Sequence, residues 1–324
     1  MPRLLIVKTS SLGDVVHNLP VVTDIRKQFP GMVIDWAVEE GFADIPALHP
    51  GVSEVIPVAM RRWRRNLASS RTWRQISACR ARLKWQHYDW VLDTQGLLKS
   101  ALLASWATGP RHGQDGDSAR EPLASLFYRH RHAVARGQHA VTRNRQLAAL
   151  ALGYAQPETP PDYGIHASLD RLPPGLPQRY VVGLHGTSRD SKLWPTEHWI
   201  ALGQALAADG LVLLLPWGNA DELVRARMIA ASVPQALVLP RLPLAELAAV
   251  LANAAATVGV DTGLIHLAAA LDVPAVAVYT DTDPALTGVF GADPGRFRNL
   301  GGIAETPSCD SVIGALSQVK SLFR

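Results

Sequence analysis

The sequence predicts an α/β protein of two domains, each a parallel sheet covered by helices on both faces, with the sheets facing an interdomain cleft. Three observations lead there. Short apolar runs alternate with longer amphipathic segments along the 324 residues. The alternation occurs twice, on either side of AQPETPPDYGIHASLDRLPPGLPQ, whose six prolines cannot lie inside a helix or a central strand. Each unusual polar cluster follows the end of an apolar run, where open parallel sheets hold their ligands.

In the first half, strands are expected over 4–7, 33–38, 54–59 and 90–94, with helices such as 15–28 and 97–108. In the second half, strands are expected over 180–185, 211–215, 237–239, 257–260 and 275–279. Helices there are expected over 196–208, 221–231, 244–254 and 263–271. The domain boundaries follow: 1–157, a Pro-rich linker 158–178, 179–304, and a terminal segment 305–324. Its helix over 308–323 could pack back on the first domain.

Composition narrows the class. Residues 1–160 carry 21 Lys+Arg against 13 Asp+Glu, and residues 161–324 carry 11 against 15, so the first half expects an anionic partner. Cys79 and Cys309 are too few for a disulfide framework and fit a reducing cytosol. They also lack metal-ligand spacing, so a zinc site is not expected. No signal-peptide core is present, and no apolar run reaches the roughly 18 residues that span a bilayer.

In VGVDTGLIHLAAAL a strand ends near Val260 and a helix starts at Asp261-Thr262-Gly263. Free amides at a helix start favour a phosphate, Thr262 adds a hydroxyl, and His266 shares a face with Gly263. An ordinary capped helix with a buried histidine accounts for the motif equally well. In LHGTSRDSKLW, Gly186, Thr187, Ser188 and Lys192 follow another strand end and suit a diphosphate. In LLLPWGNADE, Glu222 lies in the first turn of a helix, where it could accept ribose hydroxyls or merely complement the dipole. LPRLPL could pack on an adenine. No G-x-G-x-x-G after a strand and no Walker sequence is present.

KTSSLGDVVHNLP, residues 8–20, empties the first strand into small polar residues. Gly13 is expected to permit a turn, and Asp14 to lie at a helix start as an N-cap or as a general base. His17 is a second candidate base. MRRWRRNLASSRTWRQISACRARLK, residues 60–84, has nine basic residues and no acid, with Trp63 and Trp73 suited to a lipid–water boundary. A second basic group, 120–145, embeds the apolar stretch 123–128. Nucleic acid is the rival partner, but no RNP, KH or helix-turn-helix signature accompanies the charge.

Together these segments resemble the ADP-heptose:lipopolysaccharide heptosyltransferases, type I in particular. The resemblance rests on LLIVKTSSLGDVVHNLP, DWAVEEGFADIP, VIPVAMRRWRR, DTQGLLKSALLA, AREPLASLFY, QHAVTRNRQL, ALGY, KLWPTEHW, LPWG and VDTGLIHLAAALDVP, in that order. It implies a GT-B fold of two Rossmann-like domains and metal-independent, inverting transfer of L-glycero-D-manno-heptose from ADP-heptose to the Kdo of Kdo–lipid A. It implies Asp14 as catalytic base, with Lys192 supporting the leaving ADP. Donor binding is implied for Thr187, Ser188, Lys192, Glu222, Leu242, Asp261, Thr262, Gly263 and His266. Ser10, Ser11, Gly13, Arg61, Arg62, Arg64, Arg65 and Arg120 match positions near the anionic acceptor. No cofactor and no nucleic acid are implied, and the location is peripheral on the cytoplasmic face of the inner membrane. Type II acceptor use and a non-catalytic sugar-nucleotide-binding protein are the alternatives. Two departures stand out: Ser188 replaces a frequent threonine, and YTDTDPALTG replaces a glycine-proline loop start.

Overall fold

A computed structural model describes residues 1–321. The chain forms two compact units, Met1–Ile165 and His166–Arg324. The first holds β1 (Arg3–Val7), β2 (Val33–Glu39), β3 (Glu54–Val58), β4 (Trp90–Asp93), β5 (Arg111–Gln114) and β6 (His130–His132). They lie in the order β3-β2-β1-β4-β5-β6, all parallel. The second holds β7 (Tyr180–Leu184), β8 (Val212–Leu215), β9 (Leu237–Val238), β10 (Ala256–Val260), β11 (Ala275–Tyr279) and β12 (Phe297–Gly301). Their order, β12-β11-β10-β7-β8-β9, is the same winding and again all parallel.

Burial on both faces explains the continuous apolar runs. Leu4, Leu5, Ile6 and Val7 are fully buried, each contributing roughly 1.5–3 kcal/mol of hydrophobic stabilisation. Strand order reverses between β1 and β4 and between β7 and β10, and each reversal opens a crevice at the carboxyl ends of the strands.

Several elements differ from the sequence expectation. Strands β5, β6 and β12 read RHGQ, HRH and FRNLG, without the alternation or β-branching that marks a strand. In β5 and β6 histidines do the packing: His112 stacks on His130 and His132, with centroids 4.5 and 5.4 Å apart. The helix expected over 15–28 is two helices, Leu12–Val16 and Leu19–Gln28. Pro20 sits in the first turn of the second, the only part of a helix that tolerates it. Gly13 lies inside the first helix without a left-handed φ, so it does not serve the turn expected of it. Trp63 is in the core with Leu83 and Val91 rather than at a lipid boundary; its indole donates to Gln75 at 3.1 Å.

The terminal helix, Cys309–Ser321, buries Val312, Ala315, Leu316 and Val319 in the core of the second unit with Val258 and Val276. Residues 322–323 of that expected helix lie outside the described residues. In the Pro-rich stretch, Tyr163 and Ile165 are buried. Arg145 forks onto Asp24 at 2.7 and 3.1 Å and also donates to the Thr159 carbonyl at 2.8 Å. This buried pair joins the helices Leu19–Gln28 and Ala140–Leu152 to the Pro-rich segment. Asp24→Ala strands the guanidinium, and the expected loss is about 3–5 kcal/mol, read as a lower urea midpoint. A loss below about 1 kcal/mol would show the pair to be screened as at a surface.

Candidate functional site

In the second unit the polar groups gather at the β7/β10 crevice. Asp261 follows β10 directly, and Thr262 is the N-cap of the helix Gly263–Ala270. The Thr262 hydroxyl makes no capping bond, so the helix start keeps both a hydroxyl and free amides. Lys192, in the short turn Asp190–Lys192 after β7, donates to Asp261 Oδ2 at 2.6 Å, and the Thr282 hydroxyl donates to the same oxygen at 2.7 Å. His266 Nε2 stands 3.7 Å from Oδ1, longer than an ordinary hydrogen bond. Burial opposes ionisation of Asp261, but His266, Lys192 and Thr282 outweigh it and hold the carboxyl well below the usual range.

The loop after β7 is tied to the same point. Thr187 donates its hydroxyl to the Asp261 carbonyl at 2.8 Å, and Ser191 donates to Asp281 at 2.6 Å. Glu222, in the first turn of the helix Ala220–Ala231, accepts from the Gly218 amide at 2.6 Å and from Asn219 Nδ2 at 2.9 Å. A Cβ on residue 186 would meet Glu222 Cδ at 2.6 Å, so a larger residue there would have to displace the Glu222 side chain. Ser188 is exposed and Leu242 half-buried. The structure thus brings together Thr187, Lys192, Asp261, Thr262, Gly263 and His266, with Gly186 against Glu222.

In the first unit the groups gather at the β1/β4 crevice. Ser11 is the N-cap of Leu12–Val16, and Asp14 is its third residue. Asp14 Oδ2 accepts from the Ser11 amide at 2.8 Å and from the Ser11 hydroxyl at 2.9 Å, which ties it to the N-cap residue. Oδ1 takes no hydrogen bond among the described residues, and the side chain is half-exposed. Asp14 therefore caps with one oxygen and presents the other. His17, the second candidate base, is 3% exposed and packs edge-on against His139.

Two lysines complete this crevice. Lys8 is buried and donates to the Thr94 carbonyl at 2.8 Å. Burial lowers its pKa, while Asp14 and Asp93 work to raise it. Lys99 donates to Ser10 Oγ at 2.7 Å; burial and Arg61 lower its pKa, with Glu39 and Asp14 opposing. Sequence reasoning named neither lysine, although they stand in KTSSLGD and DTQGLLKS. It also passed over Thr282, whose bond fixes the atypical YTDTDPALTG loop.

The arginines divide. Arg62 clamps Glu40 through both carboxylate oxygens, at 2.9 and 2.8 Å, and holds that carboxyl below its ordinary range. Arg61 lies over the Phe42 ring at 5.4 Å. Arg64, Arg65 and Arg120 are exposed and form no ion pair among the described residues.

Two doubly wound parallel sheets with polar groups at each reversal point define a two-domain, GT-B-like α/β fold. The model of glycosyltransferase family 9 (heptosyltransferase) matches residues 76–306. Lipopolysaccharide heptosyltransferase 1 of Pseudomonas aeruginosa is 53% identical over 294 residues, covering 89% of this chain and 81% of that one. The E. coli heptosyltransferase WaaC solved with ADP superposes with a TM-score of 0.91 at 46% identity, over 98% of this chain and 99% of that one. WaaC with ADP-2-deoxy-2-fluoro heptose gives 0.86 at 44%, over 97% and 99%. The chain belongs to glycosyltransferase family 9, the heptosyltransferases.

Lys192→Met removes a charged bond from the largely buried Asp261. It is expected to cost about 1.5–3 kcal/mol in denaturant unfolding of the second unit. An unchanged midpoint would mean that Asp261 does not depend on the lysine.

Proposed function

We propose that this glycosyltransferase moves L-glycero-D-manno-heptose from ADP-heptose to the Kdo of Kdo–lipid A, with inversion, as the first heptose of the lipopolysaccharide inner core. The observation that carries the reading is its likeness to WaaC, solved with ADP and with ADP-2-deoxy-2-fluoro heptose, at 46% and 44% identity over nearly the whole chain. The second unit holds the donor and the first holds the acceptor.

Asp14 Oδ1 accepts the proton of the Kdo hydroxyl as that oxygen attacks the anomeric carbon, while the bond to the ADP oxygen breaks. Lys192, Thr262 and the amides at Gly263 take up the charge growing on the diphosphate, without an obligatory metal. Glu222 meets the ribose, Leu242 packs on the base, and Ser188 and His266 complete the donor contacts. On the acceptor side Ser10, Ser11, Arg61, Arg64, Arg65 and Arg120 meet the sugar acid and its lipid. The basic segment, nine cations without an acid over residues 60–84, suits a peripheral position on the cytoplasmic face of the inner membrane. Among the described residues no helix is long and apolar enough to cross a membrane.

Asp14→Asn keeps an acceptor for the Ser11 cap but loses the base. ADP release from ADP-heptose in the presence of Kdo–lipid A is expected to fall by about 10²–10⁴ with ADP affinity retained. Near-normal kcat would leave Asp14 only its cap. Donor turnover with an already heptosylated acceptor and none with Kdo–lipid A would assign the other acceptor class.

A further inference from the structure

We propose that Gln95 is a positioning residue for Asp14, clamping the main chain of the β1 loop that carries the carboxylate. This rests on Asp14 as the base described above and names the group that holds it in register.

Gln95 stands just past β4 and is buried. Its side chain crosses the β1/β4 reversal and uses both ends of its amide. Oε1 accepts from the Thr9 amide and from the Thr9 hydroxyl, each at 2.7 Å, and Nε2 donates to the Ser10 carbonyl at 2.6 Å. A backbone N–H can only donate and a carbonyl can only accept, so these partners leave the amide one orientation. Thr9 and Ser10 are buried as well, so a lost bond leaves main-chain groups without a partner.

The bond to Ser10 reaches the carboxylate in one step. The Ser10 carbonyl and the Ser11 amide belong to one rigid peptide group, and that amide donates to Asp14 Oδ2 at 2.8 Å. Releasing the carbonyl from Gln95 therefore releases the donor that aims the carboxylate. Asp14 lies in a five-residue helix, too short to hold its direction alone.

Gln95 is itself fixed from behind. Asp93, fully buried, accepts on Oδ1 from the Gln95 amide at 2.8 Å and the Gly96 amide at 3.3 Å. Its Oδ2 accepts from the Tyr128 hydroxyl at 2.8 Å. The Gln95 side chain thus hangs from a turn pinned to the core of the first unit. Lys99 reaches a rotatable hydroxyl on Ser10, whereas Gln95 holds main chain on Thr9 and Ser10, so the clamp falls to Gln95.

The test is a double-mutant cycle on the full chain, with kcat read as ADP release from ADP-heptose at saturating Kdo–lipid A. Gln95→Met keeps the side-chain length and deletes all three bonds. It should lower kcat by about tenfold or more and leave the ADP Kd within about twofold. In the Asp14→Asn background the same substitution should cost less than about threefold, because the group that Gln95 positions is gone. An equal cost in both backgrounds, as partial unfolding of the first unit would give, would overturn the proposal. So would a higher acceptor KM at unchanged kcat, which would assign Gln95 to acceptor binding. Gln95→Glu keeps the acceptor for Thr9 and loses the donor to Ser10; it replaces Gln95→Met should that chain not fold, with the same coupling expected. Near-normal kcat for Asp14→Asn alone would remove the base, and the role of Gln95 with it. A full loss there without coupling to Gln95 would leave the base standing and overturn the proposal alone.

Discussion

The second unit is organised around one constraint: a largely buried carboxylate, Asp261, that must stay ionised at a helix start. Its side chain collects Lys192 and Thr282 on one oxygen and His266 near the other, while its carbonyl receives Thr187. Loops after three strands, β7, β10 and β11, are tied to one residue. A flexible lysine and two hydroxyl-bearing loops are thereby held before any anion arrives, so less conformational freedom remains to be lost on binding. The carboxylate would oppose an anion by its charge, while its bonds hold Lys192 and Thr282 in place.

The first unit uses its carboxylate differently. Asp14 closes a five-residue helix through Ser11, and a helix that short has little stability of its own. The cap therefore fixes the orientation of the other oxygen. Capping and proton acceptance are compatible, because a carboxylate has two oxygens and the cap uses only one. The buried Lys8 and the exposed Lys99 stand beside it, and Asp14 works to raise the pKa of each.

Much of this was legible in the sequence, and what was missed has physical causes. Apolar runs such as Leu4–Val7 marked the central strands because both faces of a parallel sheet are covered. Strands β5 and β6 escaped notice because an edge can be built from histidine, arginine and glycine once neighbouring strands supply the ladder. Asp261, Thr262 and Gly263 were recognisable from a strand running into D-T-G and a helix. The partners Thr282 and Lys99 were not, since each comes from a distant loop or helix and only the winding of the sheet brings it in. Trp63 shows the converse: RRWRR looks amphipathic as a string, but the fold turns its indole inward to Gln75 and its arginines outward.

The most direct measurement is the ADP affinity of Asp261→Asn against the unaltered chain. If the carboxylate acts by holding Lys192, Thr282 and the β7 loop in place, its neutralisation weakens ADP binding even though a negative charge has been removed. Equal or tighter binding would contradict this, and would show Asp261 to be only a repulsive neighbour of the diphosphate.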